Sequence, residues 1–300
     1  METIAFIGLG NLGLPMAANM ARAGHRILAY DISNSRIQEA AMWGAEPAPD
    51  AASAAALADV IITMVPSGKE LKEIFLDNGV AEAAKAGSLF IDCSTVDLKS
   101  AERVKRVARL NGHEMIDAPV SGGAARAIAG KLTIMVGGVA SAFARAEPLL
   151  MRMASNVVHM GGDGSGLTVK ICNNMIAGVT LIAVSEAYAL AQRLGVDDQK
   201  FYDVVSRSSG QCWALTEMCP VPGPVPTSPA NYGFKPGGAA SMLMKDLGMA
   251  QEAAISAKSA IPMAATAHVL YTVFCNSGGA NLDVSAIIQM FQQASPPLVR

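Results

Sequence analysis

Residues 4–31 decide the fold. They open Ile4-Ala5-Phe6-Ile7-Gly8-Leu9-Gly10-Asn11-Leu12-Gly13, run on from Leu14 to Ala23, and close Arg26-Ile27-Leu28-Ala29-Tyr30-Asp31. Ile4 to Ile7 is a short apolar run that reads as a buried strand, and Leu14 to Ala23 has helical spacing. Gly24-His25 then turns the chain into a second strand ending on Asp31. A Gly-x-Gly-x-x-Gly set alone is weak. Here it lies between a strand and a helix, with an acid closing the next strand, which is the context that dinucleotide binding demands. Gly8 allows the tight turn, Gly10 lets backbone N–H groups approach a pyrophosphate, and Gly13 lets the helix pack close to the strand. Asn11 and Leu12 complete that cofactor loop at the positive end of the helix. Asp31 is placed to accept both ribose hydroxyls of NAD and to repel the extra phosphate of NADP. NAD is therefore the expected cofactor, with Arg36 near enough in sequence to soften the preference.

Working outward, strand and helix signals alternate through the first half. Val60 to Val65, Ser88 to Asp92, His113 to Asp117, Leu132 to Val136 and Val157 to Met160 read as strands, with helices such as Leu98 to Leu110 and Ser141 to Ala154 between them. Such alternation predicts an α/β Rossmann domain with a doubly wound, mostly parallel sheet. The pattern changes at Gly161-Gly-Asp-Gly-Ser-Gly166, after which only helical signals follow. An all-α C-terminal domain is expected, opened by a long helix of about Leu167 to Leu194 that is apolar nearly all round and so suited to burial between domains or subunits. The division is placed at 1–163 for the NAD-binding domain and 164–300 for a helical substrate and oligomerisation domain. Cys219 to Gly238 holds six prolines and four glycines, an irregular length that suits a lid or substrate rim.

Bulk composition narrows the class. A chain of 300 residues exceeds the usual single core, and 51% apolar against 16% charged residues argues against disorder. The net charge of −2 offers no footprint for nucleic acid or an anionic membrane. Five scattered cysteines suit a reducing cytosol. Cys212 and Cys219 lack a histidine cluster to share a metal, so no metal is expected. With strand signals from residue 4, no signal or transit peptide is expected, and the polar Thr180, Ser185 and Glu186 argue that the apolar stretch Met175 to Ala191 does not span a membrane. A cytoplasmic protein is the expectation.

Ligands of open α/β sheets bind beyond the carboxyl ends of the strands. Three loops matter: Met64-Val65-Pro66-Ser67 and Cys93-Ser94-Thr95, both placed for a nicotinamide, and Asp117-Ala-Pro-Val-Ser121-Gly122-Gly123. The third offers consecutive N–H groups and a hydroxyl to a small carboxylate, or is a plain glycine turn. Lys170, Asn173 and Asn174 share one helix face. A lysine there either has its pKa drawn toward neutrality by partial burial, as a general acid/base needs, or snorkels to water at the domain edge. Lys245-Asp246 is a site pair or a solvated pair. Trp213 walls a pocket or fills the core.

These residues resemble the β-hydroxyacid dehydrogenases nearly end to end. The likeness rests on Gly8 to Asn19, Asp117 to Gly123, Gly164 to Asn174, Ser208-Ser-Gly-Gln-Cys-Trp213, Pro220-Val-Pro-Gly223 and Met244 to Gln251. The resemblance implies NAD-dependent oxidation of a short 3-hydroxy acid, with 3-hydroxyisobutyrate first and L-serine, 3-hydroxypropionate or a semialdehyde or glyoxylate reduction as alternatives. It implies that Lys170 takes the hydroxyl proton assisted by Asn174, and that Ser121, Gly122 and Gly123 hold the carboxylate. Lys245 and Asp246 would close the site near Trp213, Thr95 and Met64, Val65 and Pro66 would line the nicotinamide, and Lys245 would also meet the cofactor. A homodimer or homotetramer is implied as well. Three departures bear on substrate: Ala125-Arg126 where the family has a further glycine, Met218-Cys219 where relatives carry Tyr-Asn, and Gly237-Gly238-Ala239 in place of Gly-Gly-Phe.

Overall fold

Nine strands form one sheet in the first half of the chain: β1 (Thr3–Ile7), β2 (Arg26–Tyr30), β3 (Glu46–Pro47), β4 (Val60–Thr63), β5 (Leu89–Asp92), β6 (Glu114–Asp117), β7 (Val120–Ser121), β8 (Leu132–Gly137) and β9 (Ala154–Gly161). The computed structural model describes residues 1–292. The sheet order is β3-β2-β1-β4-β5-β6-β8-β7, with β9 paired to β8. From β3 to β6 every pairing is parallel. β8 runs antiparallel to β6 and β7 and parallel to β9. The expected doubly wound, mostly parallel sheet is present, and its topological switch point lies between β1 and β4.

The strands are apolar runs because both faces are covered. Ile4, Phe6, Ile62, Leu89, Ile91 and Ile116 pack on one face with Leu14, Met16 and Met20 of the helix Gly13–Arg22. Ala5, Ile7, Ile61, Phe90 and Met115 pack on the other with Phe75, Val104 and Ala108. At roughly 25 cal/mol per Å2 of apolar area, each fully buried Ile or Phe contributes about 1.5–3 kcal/mol.

The chain divides into two compact units, Met1–Lys170 and Ile171 onward. The helix Ser165–Arg193 begins in the first and continues into the second. Its most apolar part is long and apolar enough to cross a membrane by length and composition, though it also carries Lys170 and Asn174. In the second unit, Leu181 and Ile182 of this helix pack with Leu243 and Leu247 of the helix Ala240–Ala257 and with Tyr271 and Phe274 of the helix Pro262–Phe274. Gly178 permits the close crossing, since a Cβ there would stand 3.1 Å from Leu247. Among the described residues this unit has no strand, only the isolated bridge Ala239↔Asp283.

Candidate active site

The dinucleotide loop is built by close backbone approach. Gly8 has φ +94°, and a Cβ on it would stand 2.3 Å from the Met64 carbonyl oxygen; one on Gly13 would stand 2.0 Å from the Gly8 oxygen. A Cβ on Gly10 would meet no protein atom within 4 Å, so this is the face of the loop open to a pyrophosphate. No side chain caps the helix that starts at Gly13, and its positive end favours an anion. Asp31 closes β2 with Oδ2 accepting from Leu9 N at 2.6 Å and Oδ1 accepting from Ser33 N at 2.8 Å. Each oxygen keeps a lone pair for a ribose hydroxyl. Arg36 is tied to Glu39 and to Asn11 Oδ1, each at 3.0 Å. These residues fit NAD.

Two loops beyond β4 and β5 are held as one piece. Val65 N donates to Ser94 Oγ at 2.9 Å, while Thr63 Oγ1 and Ser94 N donate to Asp92 Oδ1 at 2.8 and 3.1 Å. Asp92 is fully buried and its Oδ2 has no hydrogen-bond partner. Burial pushes its carboxyl up, with Asp117 adding to the rise and the bonds from Ser94 and Thr63 opposing it. Thr95, half-buried, follows directly.

The third loop leaves β6 at Asp117 and forms β7, where Ser121 is registered against Thr133 of β8. Gly122 (φ +133°) and Gly123 (φ +69°) then turn the chain into the helix Gly123–Ile128. The stem of Arg126 lies across Gly122: its Cβ and Cδ are each 2.9 Å from where a Cβ on that glycine would be.

Lys170 is 9% exposed, on the helix Ser165–Arg193. Asn174 is four residues further along the same helix, so the two share a face. Asn173 Nδ2 donates to Asn174 Oδ1 at 3.1 Å, and Asn174 Nδ2 donates to Asp246 Oδ2 at 2.6 Å. Lys245 Nζ lies 3.4 Å from Asp246 Oδ1. Asp246 is buried, while the Lys245 side chain is 30% exposed. Trp213 opens the short helix Trp213–Thr216 and is 44% exposed, so it does not fill the core.

Cys219, one of the departures expected to bear on substrate, lies in the core of the second unit. It is fully buried with Tyr188, Leu215, Val221 and Val225, and its Sγ donates to Tyr188 Oη at 3.3 Å. The proline-rich stretch around it folds back on itself, with Asn231 bonding Val225 O and Gly223 N, which draws the cysteine inside. Burial pushes the thiols of Cys93 and Cys219 up, away from the thiolate form.

Sequence reasoning passed over the carboxylates that organise these loops. Asp92 and Asp117 are adjacent in register at the strand ends. Lys105, 4% exposed, pairs with Asp117 at 2.9 Å. A signal for Lys105 existed: it falls on the apolar face of the helix Leu98–Leu110, with Ala101, Val104 and Ala108.

Hydride transfer needs a nicotinamide held at a switch-point loop and a substrate held beside it, and the class defined by this fold and these loops is the NAD-dependent dehydrogenases. Residues 3–162 match the model described as the NAD binding domain of 6-phosphogluconate dehydrogenase, and residues 164–291 that described as NAD-binding of NADP-dependent 3-hydroxyisobutyrate dehydrogenase. A probable 3-hydroxyisobutyrate dehydrogenase of Mycobacterium tuberculosis is 43% identical over 96% of this chain and 97% of its own. An NAD-dependent L-serine dehydrogenase of Pseudomonas aeruginosa is 40% identical over 97% and 98%. The solved structure of M. tuberculosis 3-hydroxyisobutyrate dehydrogenase with L-serine superposes with a TM-score of 0.93 at 43% identity, covering 97% of this chain and 99% of that one. The chain belongs to the β-hydroxyacid dehydrogenase family, and it is an NAD-dependent oxidoreductase that acts on the CH–OH group of 3-hydroxy acids. One model description names NADP; the NAD-dependent relative and the carboxylate expected to meet the ribose, Asp31, agree with NAD.

Proposed function

We propose that the enzyme oxidises 3-hydroxyisobutyrate to methylmalonate semialdehyde, with Lys170 taking the hydroxyl proton and Asn174 assisting it. The observation that carries this reading is a buried lysine on an apolar helix, sharing a face with an amide that Asp246 holds at 2.6 Å. Bound NAD supplies the hydride acceptor. The remaining work belongs to the chain. Lys170 exchanges the proton at Nζ, screened from bulk water, as an acid/base group requires. Ser121, Gly122 and Gly123 hold the carboxylate through a hydroxyl and consecutive N–H groups. Met64, Val65, Pro66 and Thr95 line the nicotinamide. Trp213, Lys245 and Asp246 serve the substrate from the helical unit, Lys245 meeting the cofactor too. We assign residues 1–163 to NAD binding and 164–300 to substrate handling and assembly.

L-serine is the second reading, favoured by the P. aeruginosa relative and by the M. tuberculosis enzyme solved with L-serine. Initial rates of NAD and NADP reduction with 3-hydroxyisobutyrate, L-serine and 3-hydroxypropionate decide between them. The expected order puts 3-hydroxyisobutyrate with NAD first; a higher kcat/KM for serine moves the substrate and keeps the mechanism.

Assembly into a homodimer or homotetramer is part of the proposal. Ile176 and Leu190 are 61% and 59% exposed and recur with Val169, Ala183 and Ala187 on one face of the long helix. Sedimentation of the purified protein tests it, a monomer at micromolar concentration being the contrary result.

A further inference from the structure

A chain of charges crosses the first unit from its surface to the end of β6. Arg109 Nη2 pairs with Asp163 Oδ2 at 2.7 Å, and Asp163 Oδ1 accepts from Lys105 Nζ at 3.2 Å. Lys105 Nζ also donates to Asp117 Oδ1 at 2.9 Å. The same Asp117 oxygen accepts from Gly164 N at 2.8 Å, and its Oδ2 accepts from Leu167 N at 3.0 Å. Asp117 therefore satisfies backbone donors at the opening of the helix Ser165–Arg193, although it lies 47 and 50 residues away in sequence.

Space for this carboxylate is kept by two glycines. A Cβ on Gly137 would stand 2.5 Å from Asp117 Oδ2, and a Cβ on Gly166 would stand 2.9 Å from it and 2.3 Å from the Met135 carbonyl oxygen. Asp117 is also the last residue of β6, and the backbone leaves it directly into Ala118-Pro119-Val120-Ser121. Its carboxylate grips the helix three residues before Lys170, while its own main chain starts the loop that carries Ser121.

We propose that Asp117, with Lys105 as its buried counter-ion, is a positioning residue that fixes Lys170 relative to the Ser121–Gly123 loop. This rests on the reading of Lys170 as the proton-exchanging group. A charged acceptor with three donors, one of them a cation, is the strong form of hydrogen bonding, and a buried pair of this kind is costly to break from one side. Removing the charge loosens the first helical turn. A displacement of about 1 Å between a reacting group and its substrate is worth on the order of 100-fold in rate.

The test uses Asp117→Asn in the whole protein, reading hydrogen–deuterium exchange over residues 161–172 and steady-state kinetics with NAD and the 3-hydroxy acid turned over fastest. The amides of Gly164 and Leu167 are expected to exchange about 10-fold faster or more. We expect kcat to fall about 10- to 100-fold, with the NAD dissociation constant within about twofold because residues 8–13 and 31 follow β1 and β2, not β6. Unchanged kcat in the folded variant overturns the proposal, as does unchanged exchange. Lys105→Met supplies the same readings, with the same outcomes for and against, should Asp117→Asn fail to fold. Lys170→Ala separates this inference from the functional reading. If Lys170→Ala turns over normally, the proton-exchange reading fails, and the anchoring of the helix is then judged on exchange alone.

Discussion

At Asp92 the carboxyl is completely buried beneath the two loops assigned to the nicotinamide, and burial pushes its pKa above the ordinary value. A folded-state pKa above the unfolded one means that the native state binds the proton more tightly. The contribution to stability is then fully present below the unfolded pKa and is lost as pH rises through the folded value. Asp92→Asn has no such titration. We expect its melting temperature, measured against wild type, to gain as pH rises above the ordinary carboxylate range, and a difference independent of pH would contradict the raised pKa. Asp31 makes a separate prediction. Asp31→Ser removes a charged acceptor for the ribose, which is worth about 1.5–3 kcal/mol. NAD affinity measured by fluorescence quenching should fall at least 10-fold, and NADP affinity should fall less or rise. Equal losses for both cofactors would place Asp31 away from the ribose.

At the scale of elements, β1, its glycine loop and the helix Gly13–Arg22 act as one unit because their backbones touch. Gly13→Ala forces a Cβ to within 2.0 Å of the Gly8 oxygen. Overpacking of this kind costs about 1–3 kcal/mol, so thermal unfolding should move to lower temperature and NAD binding should weaken with it; a variant of wild-type stability would contradict the close approach. This element was readable because glycine spacing and strand alternation are local signals. The helix Leu98–Leu110 and the strand Arg26–Tyr30 were legible to the residue for the same reason. The two-residue strands β3 and β7 were not, since so short a run has no period and Glu46-Pro47 contains a residue that cannot donate. Asp117 was legible only as a strand end. Its partners Lys105, Gly164 and Leu167 are brought to it by tertiary folding, which no spacing in the sequence encodes.

Across the whole molecule, the dinucleotide loop lies in the first unit, Lys170 ends that unit, and Asn174 with Asp246 lies in the second. A ligand held by the native state alone raises stability by mass action, about 2.7 kcal/mol at 100 times its dissociation constant. Saturating NAD should therefore raise the melting temperature by several degrees, roughly 2–4 °C per kcal/mol for units of this size. The most direct test of the account compares wild type with Lys170→Ala, measuring NADH formation from 3-hydroxyisobutyrate alongside NAD binding. We expect NAD reduction by the wild type, a loss of kcat of about 100-fold or more in the variant, and the same NAD affinity in both. A variant that reduces NAD as fast as the wild type would remove Lys170 from the chemistry.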